Sequence, residues 1–430
     1  MASDKVGKAP ELWTPRRPWL LRRLDKRVEK REKPGLSRDF LNAEEIIAGA
    51  RKRSGIGDIP VDDIREPLEI LVRSYREEAA LRITGRKGAS DFLQGVLGKR
   101  LQVLDLLRRN PEVERIPIDR PVFIIGHHRS GTTLLQHLLA ELPPIRPLRT
   151  WELYTVPPSR PLPFDSKIRL LATHLGNAAF NWAVPDFKQI HEMRAGGPEE
   201  GVPLLFRSFC TYGCLLTADL PSYEKWLDDC PSSVFEERYR FFRRQVQLML
   251  WRGAAAGAVV LEKSPLHLSA IDELVRVFPD ARIIHVHRHL GRVVPSAASL
   301  VAVSRSLFSD RLDFPGLGRF ILRLVRRNCL KELAFRQRFP ADQVVDVDYC
   351  TFIRDPKAMI RRIVEYFDLP APEDLDDRLD HRLGLMPQNK HGRHRYSLER
   401  FGLTPADIEE LDRGYHKYFS VSSEPLPREE

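Results

Sequence analysis

Cysteine is scarce in this chain. Cys210, Cys214, Cys230, Cys329 and Cys350 are scattered through 430 residues without a C-x-x-C pair. That argues against a disulfide framework and against a zinc site, and reads as reduced thiols in a cytoplasmic protein. Long apolar runs are missing as well. No stretch of 18 apolar residues exists, so no transmembrane helix is expected. The opening M-A-S-D-K-V-G-K-A-P lacks the apolar core of a signal peptide, which again points to the cytoplasm. There is no internal repeat, no long low-complexity linker and no recognised nucleic-acid motif. The balance of charge leans one way, to a formal +10, which favours an anionic ligand or surface. With 42% hydrophobic and 30% charged residues, the composition is that of a globular protein able to bury a large core.

What is present centres on Pro121 to Leu135, P-V-F-I-I-G-H-H-R-S-G-T-T-L-L. Val122 to Ile125 have the length and β-branching of a buried parallel strand. Gly126, a short polar loop, Gly131 and the spacing of Leu134, Leu135, Leu138 and Leu139 then read as a glycine loop opening a helix. Strand, glycine loop and helix N-terminus together cradle a phosphate, because loop N–H groups and the positive end of the helix dipole both face the anion. A nucleoside-triphosphate loop would carry lysine where this chain has Thr132. Its cation is Arg129, inside the loop, a side chain suited to bidentate clamping of phosphate oxygens.

Further strands are expected near Thr150 to Leu153, over Val259 to Leu261, up to about Arg288 and over Gln343 to Asp348, alternating with helices. The expected fold class is therefore α/β, a P-loop-like open parallel sheet flanked by helices, with ligands at the strands' carboxyl ends. Residues 1–117 read as a basic arm and an N-terminal helical region, and 118–430 as the domain carrying the chemistry. Within it, about 155–255 is a long helical insert at the mouth of the sheet. Aromatics in that insert (Phe180, Trp182, Phe187, Phe206, Phe209, Tyr212, Tyr223, Trp226) either line an acceptor pocket or form helical core. In the arm, Trp13, Trp19, Leu20 and Leu21 sit among arginines. This is either a surface helix touching anionic lipid or an arm packed on the protein's own body.

The segment R-S-G-T-T-L-L resembles the 5′-phosphosulfate loop of sulfotransferases that use 3′-phosphoadenosine 5′-phosphosulfate (PAPS). The resemblance covers roughly residues 118 to 400 and implies donor contacts from Arg129, Ser130, Gly131, Thr132 and Thr133. Arg288 with Ser296, in an Arg-x7-Ser spacing after a strand, is similar to the family's 3′-phosphate site. The basic loop with Lys390, Gly392 and Arg393 resembles the segment that closes over that phosphate. Glu262-Lys263-Ser264-Pro265 is similar to tyrosylprotein and bacterial branches of the family, and implies that Lys263 lies beside the transferring sulfuryl group. The implied reaction is in-line transfer to a hydroxyl or amine, leaving 3′,5′-adenosine diphosphate, with cationic side chains instead of a metal. Three residues compete as general base: Glu152, positioned like the glutamate of tyrosylprotein-type enzymes, then His267, then His191 ahead of G-G-P-E-E. The implied acceptor is a small molecule, lipid or glycan rather than nucleic acid. A nucleotide kinase and a non-catalytic nucleotide- or lipid-binding protein are the alternatives; Thr132 opposes the first, and the pair Arg129 and Lys263 opposes the second.

Overall fold

Five short runs rich in β-branched residues build one parallel sheet: β1 (Val122–Gly126), β2 (Ile145–Pro147), β3 (Val259–Lys263), β4 (Arg282–His287) and β5 (Val344–Asp348). Their order is β2-β3-β1-β4-β5. In register, Ile124 lies opposite Lys263 and Ile284, and Gly126 opposite Val286. Every residue of β1 and β4 is buried; β1 reads as a continuous apolar strand, and β4 is marked by its β-branched residues. Burying each branched side chain such as Ile124 contributes about 1.5–3 kcal/mol. The computed structural model describes residues 15–31, 41–158, 163–251, 257–386 and 396–427.

Ahead of the sheet stand α1 (Trp19–Arg31), α2 (Ala43–Ser54), α3 (Asp62–Glu77) and α4 (Ile83–Arg109). Asn42 caps α2 by accepting from the Glu45 N–H at 2.8 Å, and Gly55 ends it in the left-handed region. Ile46, Leu68, Leu71, Leu93 and Leu97 join one apolar cluster with Phe123, Leu290 and Val293. The N-terminal helices thus share the core of the sheet. Helix α1 is pinned through buried Asp25, which pairs with Arg17 at 2.9 Å and accepts from Thr84 of α4. Trp19, Leu20 and Leu24 nonetheless stay exposed. Trp13 lies outside the described residues.

Between β1 and β3 the chain runs through α5 (Thr132–Leu139), α6 (Thr150–Tyr154), α7 (Asp165–Ala183), α8 (Phe187–Ile190), α9 (Val202–Phe206), α10 (Pro221–Asp229) and α11 (Ser232–Trp251). The helical insert is there. The strand expected near Thr150 to Leu153 is not; that stretch is α6, and the edge strand lies earlier, at Ile145–Pro147. The reason is local. The Glu152 carboxylate accepts from the Arg149 N–H at 3.1 Å, satisfying a donor at the helix start and turning the backbone into a helix.

After β3 come α12 (Ile271–Val277), α13 (Leu290–Arg305) and α14 (Phe314–Arg336). They are followed by α15 (Tyr349–Arg354), α16 (Pro356–Tyr366), α17 (Leu375–Leu385), α18 (Pro405–Asp412) and α19 (Tyr415–Tyr418). Asp355 caps α16 by accepting from the Ala358 N–H at 2.9 Å. No helix among the described residues is long and apolar enough to cross a membrane.

Candidate active site

In an open parallel sheet, ligands sit at the carboxyl ends of strands where the chain's direction of progress reverses. Here that point is β1, with β3 on one side and β4 on the other. The three adjacent strand ends carry the glycine loop, Lys263 and Arg288. The loop curls back over the end of β1 through Gly126 (φ 150°), Arg129 (φ 70°) and Gly131 (φ 90°). A Cβ on Gly126 would come 2.6 Å from the Val286 carbonyl oxygen, so only glycine fits there. Ser130 is buried and donates to the His127 carbonyl at 2.8 Å, holding the turn. Arg129 points into a cleft of about 160 Å³, lined also by His128, Gly131, Thr132, Thr133, Arg288 and Tyr349.

Lys263 and Arg288 each have close partners. The buried Lys263 ammonium donates to Thr133 Oγ1 at 3.2 Å and pairs with Glu200 at 2.5 Å. Arg288 lies over the Tyr349 ring, 3.9 Å from its centre. Its guanidinium donates to the Arg129 carbonyl at 2.8 Å and to Glu424 at 2.9 and 3.0 Å. A carboxylate from the C-terminal segment therefore holds the guanidinium at the edge of the cleft.

Glu200 was not singled out by sequence. Its backbone is fixed by several independent contacts. Glu199 N–H donates to Leu148 at 2.9 Å, Gln136 donates to the Glu199 carbonyl at 3.2 Å, and Gly201 N–H donates to Glu262 at 2.8 Å. Burial alone would raise the Glu200 pKa, but Lys263 and nearby histidines bring it down to about 2. His191 meets Glu199 at 2.9 Å. Burial opposes its protonation, and Glu199 outweighs burial, so its pKa is raised. Half-buried His128 goes the other way, lowered to about 4 by desolvation. It is a neutral imidazole at ordinary pH.

A second, larger cavity of about 650 Å³ opens beyond these three side chains. His128, His191 and Glu200 line both it and the small cleft. Elsewhere its wall is mostly apolar, with Phe180, Phe187 and Phe206 from the insert and Leu300, Val303 and Phe308 from α13 and its following turn. Gly88 and Phe92 of α4 also reach it, so the N-terminal helical region contributes to the site. Among the other aromatics of the insert, Phe209, Tyr212 and Tyr223 are core, and Trp182 is exposed.

Several sequence candidates lie elsewhere. Glu152 caps α6 and pairs with Arg146 at 2.9 Å, in a separate cavity shared with Trp151, Arg169 and Arg207. His267 is fully buried between Glu262 and Tyr239, 3.0 Å from the tyrosine hydroxyl, so no acceptor reaches it. Ser296 is buried on α13 and lines neither the cleft nor the cavity. Lys390, Gly392 and Arg393 fall outside the described residues. The one signal that marked Glu200 was the run G-G-P-E-E after His191, two acids behind a turn.

Beneath the loop lies a second polar group. Glu332 lies 3.0 Å from His127 and accepts from His285 at 2.9 Å and the Tyr415 hydroxyl at 2.9 Å. His287 sits 2.8 Å from the same hydroxyl and 3.0 Å from Asp346. These residues tie the loop, β4, α14 and α19 together.

Comparison with known proteins agrees with this geometry. The sequence profile described as the sulfotransferase family matches residues 121–373. The crystal structure of sulfotransferase STF9 from Mycobacterium avium superposes with a TM-score of 0.80 at 27% identity, covering 92% of this chain and 100% of that one. STF1 from Mycobacterium tuberculosis H37Rv gives 0.75 at 28%, covering 88% and 100%. Omega-hydroxy-beta-dihydromenaquinone-9 sulfotransferase Stf3 of Mycobacterium bovis is 25% identical over 326 residues, 71% of this chain and 78% of that protein. An uncharacterized Aquifex aeolicus protein is 22% identical, and the match spans 33% of its length. The chain belongs to the sulfotransferase family, enzymes that transfer a sulfuryl group.

Proposed function

We propose that this chain moves the sulfuryl group of PAPS to the hydroxyl of an apolar alcohol, with Glu200 as general base. The observation that carries the reading is that His128, His191 and Glu200 line both the small cationic cleft and the large apolar cavity. Donor and acceptor would meet there. The glycine loop, Arg129, Thr132 and Thr133 would hold the 5′-phosphosulfate, and Arg288 the 3′-phosphate. The acceptor oxygen attacks sulfur, and its proton passes to Glu200. The bond from sulfur to the bridging phosphate oxygen breaks, releasing 3′,5′-adenosine diphosphate with the electron pair. Arg129 and Lys263 stabilise the charge that builds on the sulfonate and the bridging oxygen. A sulfonate that shares Lys263 also relieves its hold on Glu200, so donor binding strengthens the base. The cavity's size suits one drug-sized molecule, and its phenylalanine-rich wall favours a lipid, steroid or polyketide alcohol over a sugar. Stf3, named for an omega-hydroxy menaquinone, is consistent with such an acceptor.

Calorimetric titration with 3′,5′-adenosine diphosphate, with ATP plus Mg²⁺ as control, tests the donor site. Selective, metal-independent binding is expected, weakened about 10- to 100-fold in Arg288→Ala by loss of charge-assisted hydrogen bonds. Binding of ATP with Mg²⁺ alone would overturn it. In the same titration, Glu424→Ala should bind the diphosphate about threefold to tenfold more tightly, because its carboxylate no longer competes for Arg288. Unchanged or weaker binding would mean that Glu424 supports the site instead.

A further inference from the structure

Helix α7 lines the large cavity on one side and carries an exposed apolar stripe on the other. Ala172, Thr173, Gly176, Asn177 and Phe180 face the large cavity and form part of its wall. At about 100° per residue, Ile168, Leu171, Leu175 and Trp182 fall on the opposite side, in line with Phe164 just before the helix. All five are exposed, between 51% and 69%. A stripe of this length is unusual on a surface that meets only water. Lys167 and His174 flank it, both exposed.

The second observation comes from the N-terminus. Arg16 donates to Asp186, just past the end of α7, at 2.6 Å. Helix α1 then runs to the first turn of α4, where Asp25 meets Thr84, one turn before the cavity residue Gly88. Helix α7 thus forms part of the cavity wall, and α1 is anchored to α4, whose Gly88 and Phe92 line the same cavity. On α1, Trp19, Leu20 and Leu24 are exposed alongside Arg22, Arg23, Lys26 and Arg27, also exposed. Apolar side chains set among cations match the interface of a bilayer with anionic headgroups, the aliphatic and indole groups entering the acyl boundary and the cations meeting phosphate.

We propose that the outer face of α7, together with α1, docks this protein onto an anionic lipid bilayer, and that the acceptor enters the cavity from that bilayer. The second half of this statement rests on the reading of the cavity as an acceptor site. The first does not. An acceptor apolar enough to fill this cavity resides in membranes rather than in water. Helix α7, with its apolar stripe outside and Ala172, Gly176 and Phe180 inside, would then stand between the lipid and the cavity that Glu200 lines.

The test is co-sedimentation of the full chain with phosphatidylcholine vesicles, with and without phosphatidylglycerol, in the absence of donor. Binding to the mixed vesicles is expected, weaker on phosphatidylcholine alone. Partition should fall about tenfold or more in Leu171→Glu/Leu175→Glu, and again in Arg22→Gln/Arg23→Gln/Lys26→Gln/Arg27→Gln. All these positions are exposed, so thermal melting and 3′,5′-adenosine diphosphate binding should match the parent chain. Transfer to a short, soluble alcohol should also persist while transfer to a vesicle-borne alcohol drops. No binding to mixed vesicles, or equal binding by both variants and the parent, overturns the proposal. So does a stable dimer that the leucine variant splits while vesicle binding is absent, since a second copy then covers the stripe. If the diphosphate fails to bind while vesicle partition responds as expected, the donor reading falls and the docking surface stands.

Discussion

Glu200→Gln is expected to lower kcat for sulfuryl transfer about 10²- to 10⁴-fold, the range for loss of a general base. Binding of 3′,5′-adenosine diphosphate should change little. Glutamine keeps the shape and can still accept from Lys263, which sits 2.5 Å away, so the cleft is preserved while the proton acceptor is gone. Glu152→Gln is the informative partner. That carboxylate caps α6 and pairs with Arg146, so its loss should appear as reduced stability with kcat close to the parent value. Single-turnover rates with pre-bound PAPS separate the cases. Full activity in Glu200→Gln would remove it as base and leave neutral His128, on the same boundary, to take the proton.

Glu332→Ala should destabilise the fold by about 3–5 kcal/mol, the usual cost of breaking a buried charged pair by removing one partner. Two histidines and a tyrosine lose their common acceptor in a region closed to water. Tyr415→Phe removes the hydroxyl's two hydrogen bonds, to Glu332 and His287, and should cost about 1–3 kcal/mol. The same cluster sets an acid limit. Burial lowers the His287 pKa from 6.5 to about 4, so below pH 6.5 the unfolded chain binds a proton that the folded chain refuses. The stability this group contributes is complete above pH 6.5 and is lost as pH falls toward 4, by about 3 kcal/mol in all. For Glu332, burial raises the pKa, but His127 and His285 hold it well below its ordinary value. Its contribution is present above the unfolded glutamate value and is lost at still lower pH, as the folded value is passed. Urea unfolding between pH 7.5 and about 4.5 measures the His287 effect, and extending the series below pH 4.5 measures that of Glu332. A flat profile across the first range would show that His287 is not held neutral.

Much of the cleft was legible because its parts lie next to strand ends in sequence. Gly126 and Gly131 were readable as turn glycines, and β-branching gave away β1, β3 and β4. Parallel order then brings the loop, Lys263 and Arg288 to one edge without further information. Glu200 was not legible, since it reaches Lys263 from 63 positions away. It arrives on an irregular segment fixed by tertiary hydrogen bonds rather than by any period. Glu152 misled for the opposite reason. Its spacing from Arg129 fitted, yet a glutamate at the third position of a helix is easily spent on capping. His267, four positions after Lys263, turns inward in the short turn after β3 and meets Tyr239 instead of the cleft. The exposed stripe of α7 escaped notice because apolar residues at helical spacing resemble ordinary core.

The link from His127 to Tyr415 through Glu332 also bears on the order in which the protein is made. The loop emerges early from the ribosome, whereas the hydroxyl that completes its support belongs to α19. Tyr415 stands 128 positions beyond His287, the β4 histidine that it meets. Until α19 has been synthesised and docked, Glu332 and its histidines remain short of a partner, and the loop above them is not fully held. Full support of the glycine loop thus becomes a late event in biosynthesis, reached only when α19 has docked.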